Sequence, residues 1–407
     1  MNKYKNIKKM IQLGEPSWDL AKKAGLVDLA VAYEVAPKLS YNGRYFINMC
    51  SCSYLGLDTH PMILEGAIDG IRRAKSLHLT TARLRLYTTY LQELEEALST
   101  HFSCEAMAYV TCSAATASYL PLMASGVLTE DKKPLMIFDK YAHFSIHHVK
   151  PICGDETEII TCSHNDIDFI EACCKKEDRP VVYVGDGTYS VGGHTPIKEL
   201  CYLQQRYGLY LFFDDSHGLS TTGQSGEGYL SENIPELGNR TAVVASLAKA
   251  FGACGGILMS GESKLKNFLV RYGNSWSQYI NSAGIGGVLA SLKIHDSSEL
   301  AERQKAWKDN LKKLDGYFVT QNSGTNSPIR ILLLKSPERA IAMSAQLFEQ
   351  GYYTSAVFFP TVSRNTSGLR VMPRADISAE QMDVFCQTVN KVCHEDLLQR
   401  TKNFYIS

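Results

Sequence analysis

The sequence predicts an α/β fold, with a large domain on a mostly parallel seven-stranded sheet and a smaller C-terminal α+β domain. Seven short runs carry the first part: Ala106–Thr111, Pro134–Phe138, Glu158–Thr161, Val181–Val184, Leu209–Phe213, Ala242–Ser246 and Gly256–Met259. Each is continuously apolar rather than alternating, as strands covered on both faces are. Stretches with helical spacing lie between them and supply the crossovers of a parallel sheet. From about residue 291 the pattern changes to long charged helices and fewer, shorter strands.

In chain order, residues 1–50 read as a polar, partly helical N-terminal arm, residues 51–290 as the large domain, and residues 291–407 as the small one. The small domain begins with a charged helix over Ser297–Leu314, followed by the apolar run Ile329–Leu334 and a helix over Arg339–Gln350. Tyr353–Phe358 and Leu369–Met372 are strand candidates. Ser378 with Gln381 three residues on is a capping box that starts a last helix, running to about Gln399.

A chain of 407 residues suits two domains and buries a sizeable interior. With 45% apolar and 21% charged residues and a formal net charge of zero, nothing marks a nucleic-acid binder or a disordered tail. The basic start MNKYKNIKKM is not followed by an apolar signal region, and no stretch approaches the roughly 18 apolar residues of a membrane span. A cytoplasmic enzyme is the expectation. The twelve cysteines are scattered without C-x-x-C spacing, so they indicate neither a zinc site nor a disulfide scaffold, and most read as reduced small hydrophobes. No metal is expected.

Ligands of open α/β sheets sit beyond the carboxyl ends of the strands. There, LYLFF ends in Asp214-Asp215-Ser216-His217-Gly218, AVVA ends in Ser246-Leu247-Ala248-Lys249, and VVYVG ends in Asp186-Gly187-Thr188-Tyr189-Ser190. A lysine inside the small-residue stretch SLAKAFGACGG is an imine-forming amine if desolvation favours its neutral form. Pyridoxal 5′-phosphate (PLP) needs such a lysine and an acid that keeps its ring nitrogen protonated. Asp214 has the type and location for the second task.

With these blocks in this order, the chain resembles the α-oxoamine synthase family of fold-type I PLP-dependent transferases over roughly residues 45–395. The best stretches are SYLGLDTHP, LQELEEALSTHF, DKYAHFSIHH, DGTYSVGG, DDSHGLSTTGQSGEG, SLAKAFGACGG and GLRVMPRADIS. The resemblance implies that Lys249 holds PLP as a Schiff base, that Asp214 pairs with the pyridine nitrogen, and that His217 donates to the ring oxygen. It implies that His143 stacks on the ring, that Ser190 contacts the ring oxygen or substrate, and that Ser246 binds phosphate with backbone N–H groups around Ser113 and Ala114. Arg370 would clamp the amino-acid carboxylate. Fold-type I enzymes build each site at a dimer interface, which implies a homodimer in which Asn281 or Ser282 reaches the neighbour's phosphate.

Each residue also has a plainer reading: His143 as a surface histidine, Arg370 as half of an ion pair, Ser190 and Ser246 as turn formers. The chain also departs from the family pattern. Cys52, beside Ser53, stands where an asparagine contacts the substrate carboxylate; TTARLRLYTTY (80–90) replaces a glycine-rich stretch, with Leu91 in place of a histidine. YINSAGIG (279–286) lacks the prolines of the partner-facing segment, and Gly192-Gly193 replaces aspartate-glycine. Arg83 and Arg85 in the altered stretch are alternative carboxylate anchors.

The resemblance implies condensation of an α-amino acid with an acyl thioester, carried by CoA or an acyl carrier protein, to an α-aminoketone, with or without decarboxylation. The alternatives are an aminotransferase or a β-hydroxy-amino-acid aldolase on the same fold, and a catalytically reduced scaffold protein.

Overall fold

The computed structural model describes residues 7–78, 82–234, 236–262, 264–273 and 279–401, with residues 394–401 described by backbone only. Thr80 and Thr81 of the altered stretch lie outside the described residues. The chain runs through α1 (Ile7–Lys23), β1 (Ala32–Tyr33), β2 (Lys38–Tyr41), β3 (Arg44–Asn48), α2 (Pro61–Ala74), α3 (Thr89–Phe102), β4 (Glu105–Tyr109), α4 (Cys112–Ser125), β5 (Leu135–Asp139) and α5 (Phe144–Glu156). It continues through β6 (Ile159–Cys162), α6 (Ile167–Lys176), β7 (Val181–Asp186), α7 (Ile197–Tyr207), β8 (Tyr210–Asp214), α8 (Gly228–Asn233), β9 (Thr241–Ser246), β10 (Gly256–Ser260), α9 (Leu265–Tyr272) and α10 (Ser282–His295). It ends with α11 (Ser298–Tyr317), β11 (Arg330–Lys335), α12 (Pro337–Glu349), β12 (Tyr352–Tyr353), β13 (Ser355–Val357), β14 (Ser367–Val371) and α13 (Ala379–Thr401).

The larger of two units spans Leu57–Glu302. Its seven-stranded sheet has the order β4-β10-β9-β8-β7-β5-β6. β9, β8, β7, β5 and β6 are parallel neighbours, and β10 runs antiparallel to both β9 and β4. Every residue of β5, β7, β8 and β10 is buried, which is why these runs read as unbroken apolar stretches. Tyr183, Leu211, Phe213 and Val243 pack into one core with Leu91, Leu94 and Leu98 of α3 and Val288 and Leu292 of α10. The nearly all-apolar α10 is buried almost throughout. It crosses α2 so closely that a Cβ on Gly286 would lie 2.0 Å from the carbonyl oxygen of Gly66, so only glycine permits the approach.

The second unit combines the chain up to Gly56 with Arg303 onward. This differs from the expected division: residues 1–50 are not an arm of their own, and the boundary falls inside α11 rather than at residue 290. The reason is strand pairing between distant segments. β12 pairs parallel with β3, Tyr352 opposite Ile47, and completes the sheet β1-β2-β3-β12. A second sheet, β11-β14-β13, shares a core of Met49, Leu314, Leu332, Leu369 and Phe385. The single strand expected over Tyr353–Phe358 is two strands in different sheets. They part at Thr354, whose carbonyl accepts from the Ser344 hydroxyl at 2.7 Å. The capping box is present: Ser378 Oγ accepts from the Gln381 N–H at 3.1 Å, and Gln381 Oε1 from the Ser378 N–H at 3.0 Å. Among the described residues no helix is long and apolar enough to cross a membrane, and no cluster of side chains has the makings of a metal site.

Candidate active site

The carboxyl ends of β7, β8 and β9 lie side by side, and the polar residues there follow from that register. Asp186 is opposite Asp214 across the β7–β8 pair. Asp214 is buried, and its Oδ1 accepts from the Ser216 N–H at 2.9 Å. The Cys112 thiol, at the start of α4, lies 3.5 Å from Asp214 Oδ2. Burial, and then the charge of Asp214, hold the Asp186 carboxyl well above the usual carboxylate range. Burial likewise pushes Asp215 up to about 8. Both acids beside Asp214 are thus shifted toward their protonated forms.

Lys249 follows β9 in a tight turn and is half-buried, with Ala248 beside it exposed. The apolar setting inferred from SLAKAFGACGG is thus only partial. Lys249 Nζ lies 2.9 Å from Nε2 of the buried His217. The Ser216 hydroxyl accepts from the Ser246 N–H at 2.8 Å, which ties the turn after β8 to the end of β9. Ser246 Oγ accepts from the Ala248 N–H at 3.2 Å, the turn-forming contact of its plainer reading. Ser113 and Ala114 form the first turn of α4, where Thr111 caps the Ala114 N–H at 3.1 Å.

His143 is exposed at the N-cap of α5, with Nδ1 2.9 Å from Ser145 Oγ, and its backbone N–H donates to Asp186 at 3.0 Å. Lys249 is thus paired with His217, Ser246 is tied through Ser216 to Asp214, Cys112 is set beside Asp214, and the His143 backbone N–H is joined to Asp186. Ser190 lies half-buried beyond β7. Asn281 caps α10, its Oδ1 accepting from the Gly284 N–H at 2.8 Å, and Ser282 is buried behind it. Among the described residues no hydrogen bond joins Ser190, Asn281 or Ser282 to Lys249 or Asp214.

In the other unit, Arg370 sits on β14 between Ile331 and Ser355 of its neighbours. Its Nε is buried without a hydrogen-bond partner. Cys52 is half-buried and Ser53 buried, its N–H donating to Ser51 Oγ at 3.1 Å. Of the two alternative anchors, Arg85 is exposed and Arg83 is committed elsewhere: buried, it makes two bonds to Glu95 at 2.8 and 2.9 Å.

A primary amine, a carboxylate and an imidazole gathered at adjacent strand ends are the donor set that PLP requires, so these residues fit the cofactor. The family model described as aminotransferase class I and II matches residues 44–389. The chain belongs to this family. Within it, the chain is 27% identical over 377 residues to the 8-amino-7-oxononanoate synthase of Alkaliphilus metalliredigens, covering 89% of this chain and 91% of that one. It is 26% identical over 388 residues to the enzyme of the same name from Thermoanaerobacter pseudethanolicus, covering 91% and 94%. Its fold is that of the serine palmitoyltransferase of S. paucimobilis solved with a PLP–myriocin aldimine: TM-score 0.82, 20% identity, 96% of this chain and 99% of that one. The 8-amino-7-oxononanoate synthase of Francisella tularensis superposes with TM-score 0.69 at 17% identity, covering 89% and 99%.

Sequence reasoning missed Cys112 and Ser216. Cys112 is one of the twelve cysteines, most of which read as reduced small hydrophobes, and all twelve are free, but only the folded chain puts its sulfur beside Asp214. Ser216 was visible inside DDSHG, yet its bond to Ser246 joins two strands that the sequence does not show to be neighbours.

Proposed function

We propose that this protein is a PLP-dependent C-acyltransferase that condenses an α-amino acid with an acyl thioester to an α-aminoketone. The observation that carries the reading is the Lys249 Nζ–His217 Nε2 contact of 2.9 Å beside Asp214, in a chain similar along its length to 8-amino-7-oxononanoate synthases. Lys249 would bind the cofactor covalently and Asp214 its ring nitrogen, with His143 on the ring face and Ser190 at the ring oxygen or substrate. Ser246 and the first turn of α4 would take the phosphate. Bound there, PLP supplies an electron sink for the carbon next to the amino group.

The chain's own part is proton handling and placement. Lys249 Nζ and His217 Nε2 are within hydrogen-bond reach, so a proton taken from substrate by one passes to the other. Burial shifts Asp186 and Asp215 toward their protonated forms, which lowers the negative charge next to Asp214. Arg370 is the proposed carboxylate partner, supported by the resemblance and by its unpartnered Nε; Cys52 and Ser53 complete that proposal. We place the enzyme in the cytoplasm as a homodimer in which Asn281 or Ser282 serves the neighbour's phosphate. An active monomer in analytical ultracentrifugation at assay concentration rules the shared site out.

The activity is tested by an amino-acid panel read as a shift in PLP absorbance, followed by acyl-CoA and acyl-carrier-protein panels read as free thiol and product mass. Thiol release with an α-aminoketone product, with or without carbon dioxide, supports the reading. A spectral shift with keto-acid or aldehyde product, and no thiol release from any thioester, replaces it by transamination or aldol cleavage.

A further inference from the structure

Ser291 and His295 lie one turn apart on α10, so their side chains share a face of the helix. Both are buried, and neither has a part in the chemistry proposed above. The Ser291 hydroxyl donates to the Phe251 carbonyl at 2.6 Å. Phe251, wholly buried, stacks its ring on that of His295, with centroids 4.5 Å apart and planes at 28°. It is two residues beyond Lys249, in the turn that the Gly252 N–H closes by donating to the Lys249 carbonyl at 3.1 Å. One side of the pair therefore grips the turn that carries Lys249.

The other side grips the loop that carries His217. His295 Nε2 lies 2.8 Å from the Ser220 hydroxyl, and Nδ1 lies 2.9 Å from the Ser291 carbonyl oxygen. A carbonyl only accepts, so Nδ1 carries a proton. Burial lowers this imidazole to about 4, which favours the neutral ring, whose Nε2 accepts from Ser220. Ser220 is wholly buried and has φ of +68°, a left-handed conformation uncommon for serine. The hydrogen bond to His295 offsets the cost of that backbone. Ser220 ends the turns that enclose His217, where the Gly218 and Leu219 N–H groups both donate to the Asp215 carbonyl at 2.9 Å. α10 itself has little freedom to shift, because the close approach of Gly286 to Gly66 locks it against α2.

We propose that Ser291 and His295 are positioning residues: from one turn of α10 they bracket the Lys249 turn and the His217 loop, and so fix Lys249 Nζ and His217 Nε2 at their 2.9 Å separation. The bracket is one unit rather than two separate contacts. His295 meets the Lys249 turn through the Phe251 ring and the His217 loop through Ser220. Ser291 Oγ, bonded to the Phe251 carbonyl, also lies 3.4 Å from His295 Nδ1. Loosening either serine therefore shifts the ring that both loops lean on. The consequence for catalysis rests on the proposed roles of Lys249 and His217.

The test uses the full chain and reads hydrogen exchange of the 214–222 and 246–253 segments without PLP, the rate at which added PLP forms its Schiff base at Lys249, and stability in urea. Ser220→Ala and Ser291→Ala should each raise exchange in both segments and slow Schiff-base formation about tenfold, the worth of one hydrogen bond. Because they break the same bracket, the double variant should be about as slow as either alone, not about a hundredfold slower. His295→Gln keeps an acceptor for Ser220 and should form the Schiff base faster than His295→Leu. Ser344→Ala removes a comparable buried bond in the other unit; it should lower stability without moving either loop readout, which separates positioning from mere destabilisation. Exchange raised only in the loop that each substitution touches, or a multiplicative loss in the double variant, overturns the proposal. So does Schiff-base formation at the wild-type rate in both serine variants, and these two decide even where His295→Leu fails to fold. A wild-type chain that forms no Schiff base at Lys249 refutes the cofactor reading alone, since exchange without PLP still decides the bracket.

Discussion

Replacing Arg83 by methionine separates a structural from a substrate-binding arginine. Arg83 and Glu95 have side-chain exposures of 5% and 1%, so the pair is shielded from water and from salt. Removing one partner of such a pair typically costs about 3 to 5 kcal/mol, chiefly for the charge left behind. Here Glu95 keeps the Ala108 N–H at 3.0 Å and Lys266 at 3.1 Å, while Arg83 Nε has no hydrogen-bond partner to lose. The lower end, about 3 kcal/mol, is the expected value. Arg83→Met/Glu95→Leu, which removes both charges, should recover most of it. Despite its burial, Glu95 is held below the ordinary range by Arg83, Lys266 and the Ala108 N–H. A depressed carboxyl contributes stability that is present above its unfolded pKa and lost as pH falls through the folded one. The penalty of Arg83→Met should therefore shrink as pH falls below about 4. Urea unfolding followed by circular dichroism at pH 7 and pH 3.5 measures both effects. A variant as stable as wild type at pH 7 that no longer responds to amino acid refutes the reasoning and returns Arg83 to the substrate.

Lys249→Ala should abolish the Schiff-base absorbance and turnover with the fold intact, since no neighbour replaces the covalent bond; a borohydride-reducible adduct at another lysine counts against the assignment. Asp214→Asn should retain some PLP and lose about 10²- to 10³-fold in kcat, and turnover near wild type would point to Asp215 as the partner instead. Asp215 itself, raised to about 8, favours the protonated fold. Its contribution is present below its unfolded pKa and lost as pH rises through the folded one, so between about 4 and 8 it costs wild type ~1.4 kcal/mol per pH unit relative to Asp215→Asn. Parallel stability–pH curves for the two proteins would contradict that.

What the sequence determined by itself is local or repeated. The seven strands were legible because strands covered on both faces must be apolar throughout, and the last helix because Ser378 and Gln381 meet only if a helix starts there. The lysine and the DDSHG block marked themselves by their place at strand ends. Tertiary structure decided whatever depends on segments far apart in the chain. Pairing of β12 with β3 merges the first residues with the C-terminal unit, and register across β7 and β8 brings Asp186 opposite Asp214. Arg83 was a candidate anchor until folding set it against Glu95 twelve residues away. Gly192 reads in the sequence only as a departure, whereas in the fold a Cβ there would lie 2.7 Å from His164 Nε2. Spacing along a chain reports helix and strand period, whereas burial, charge pairing and steric exclusion are properties of neighbours in space.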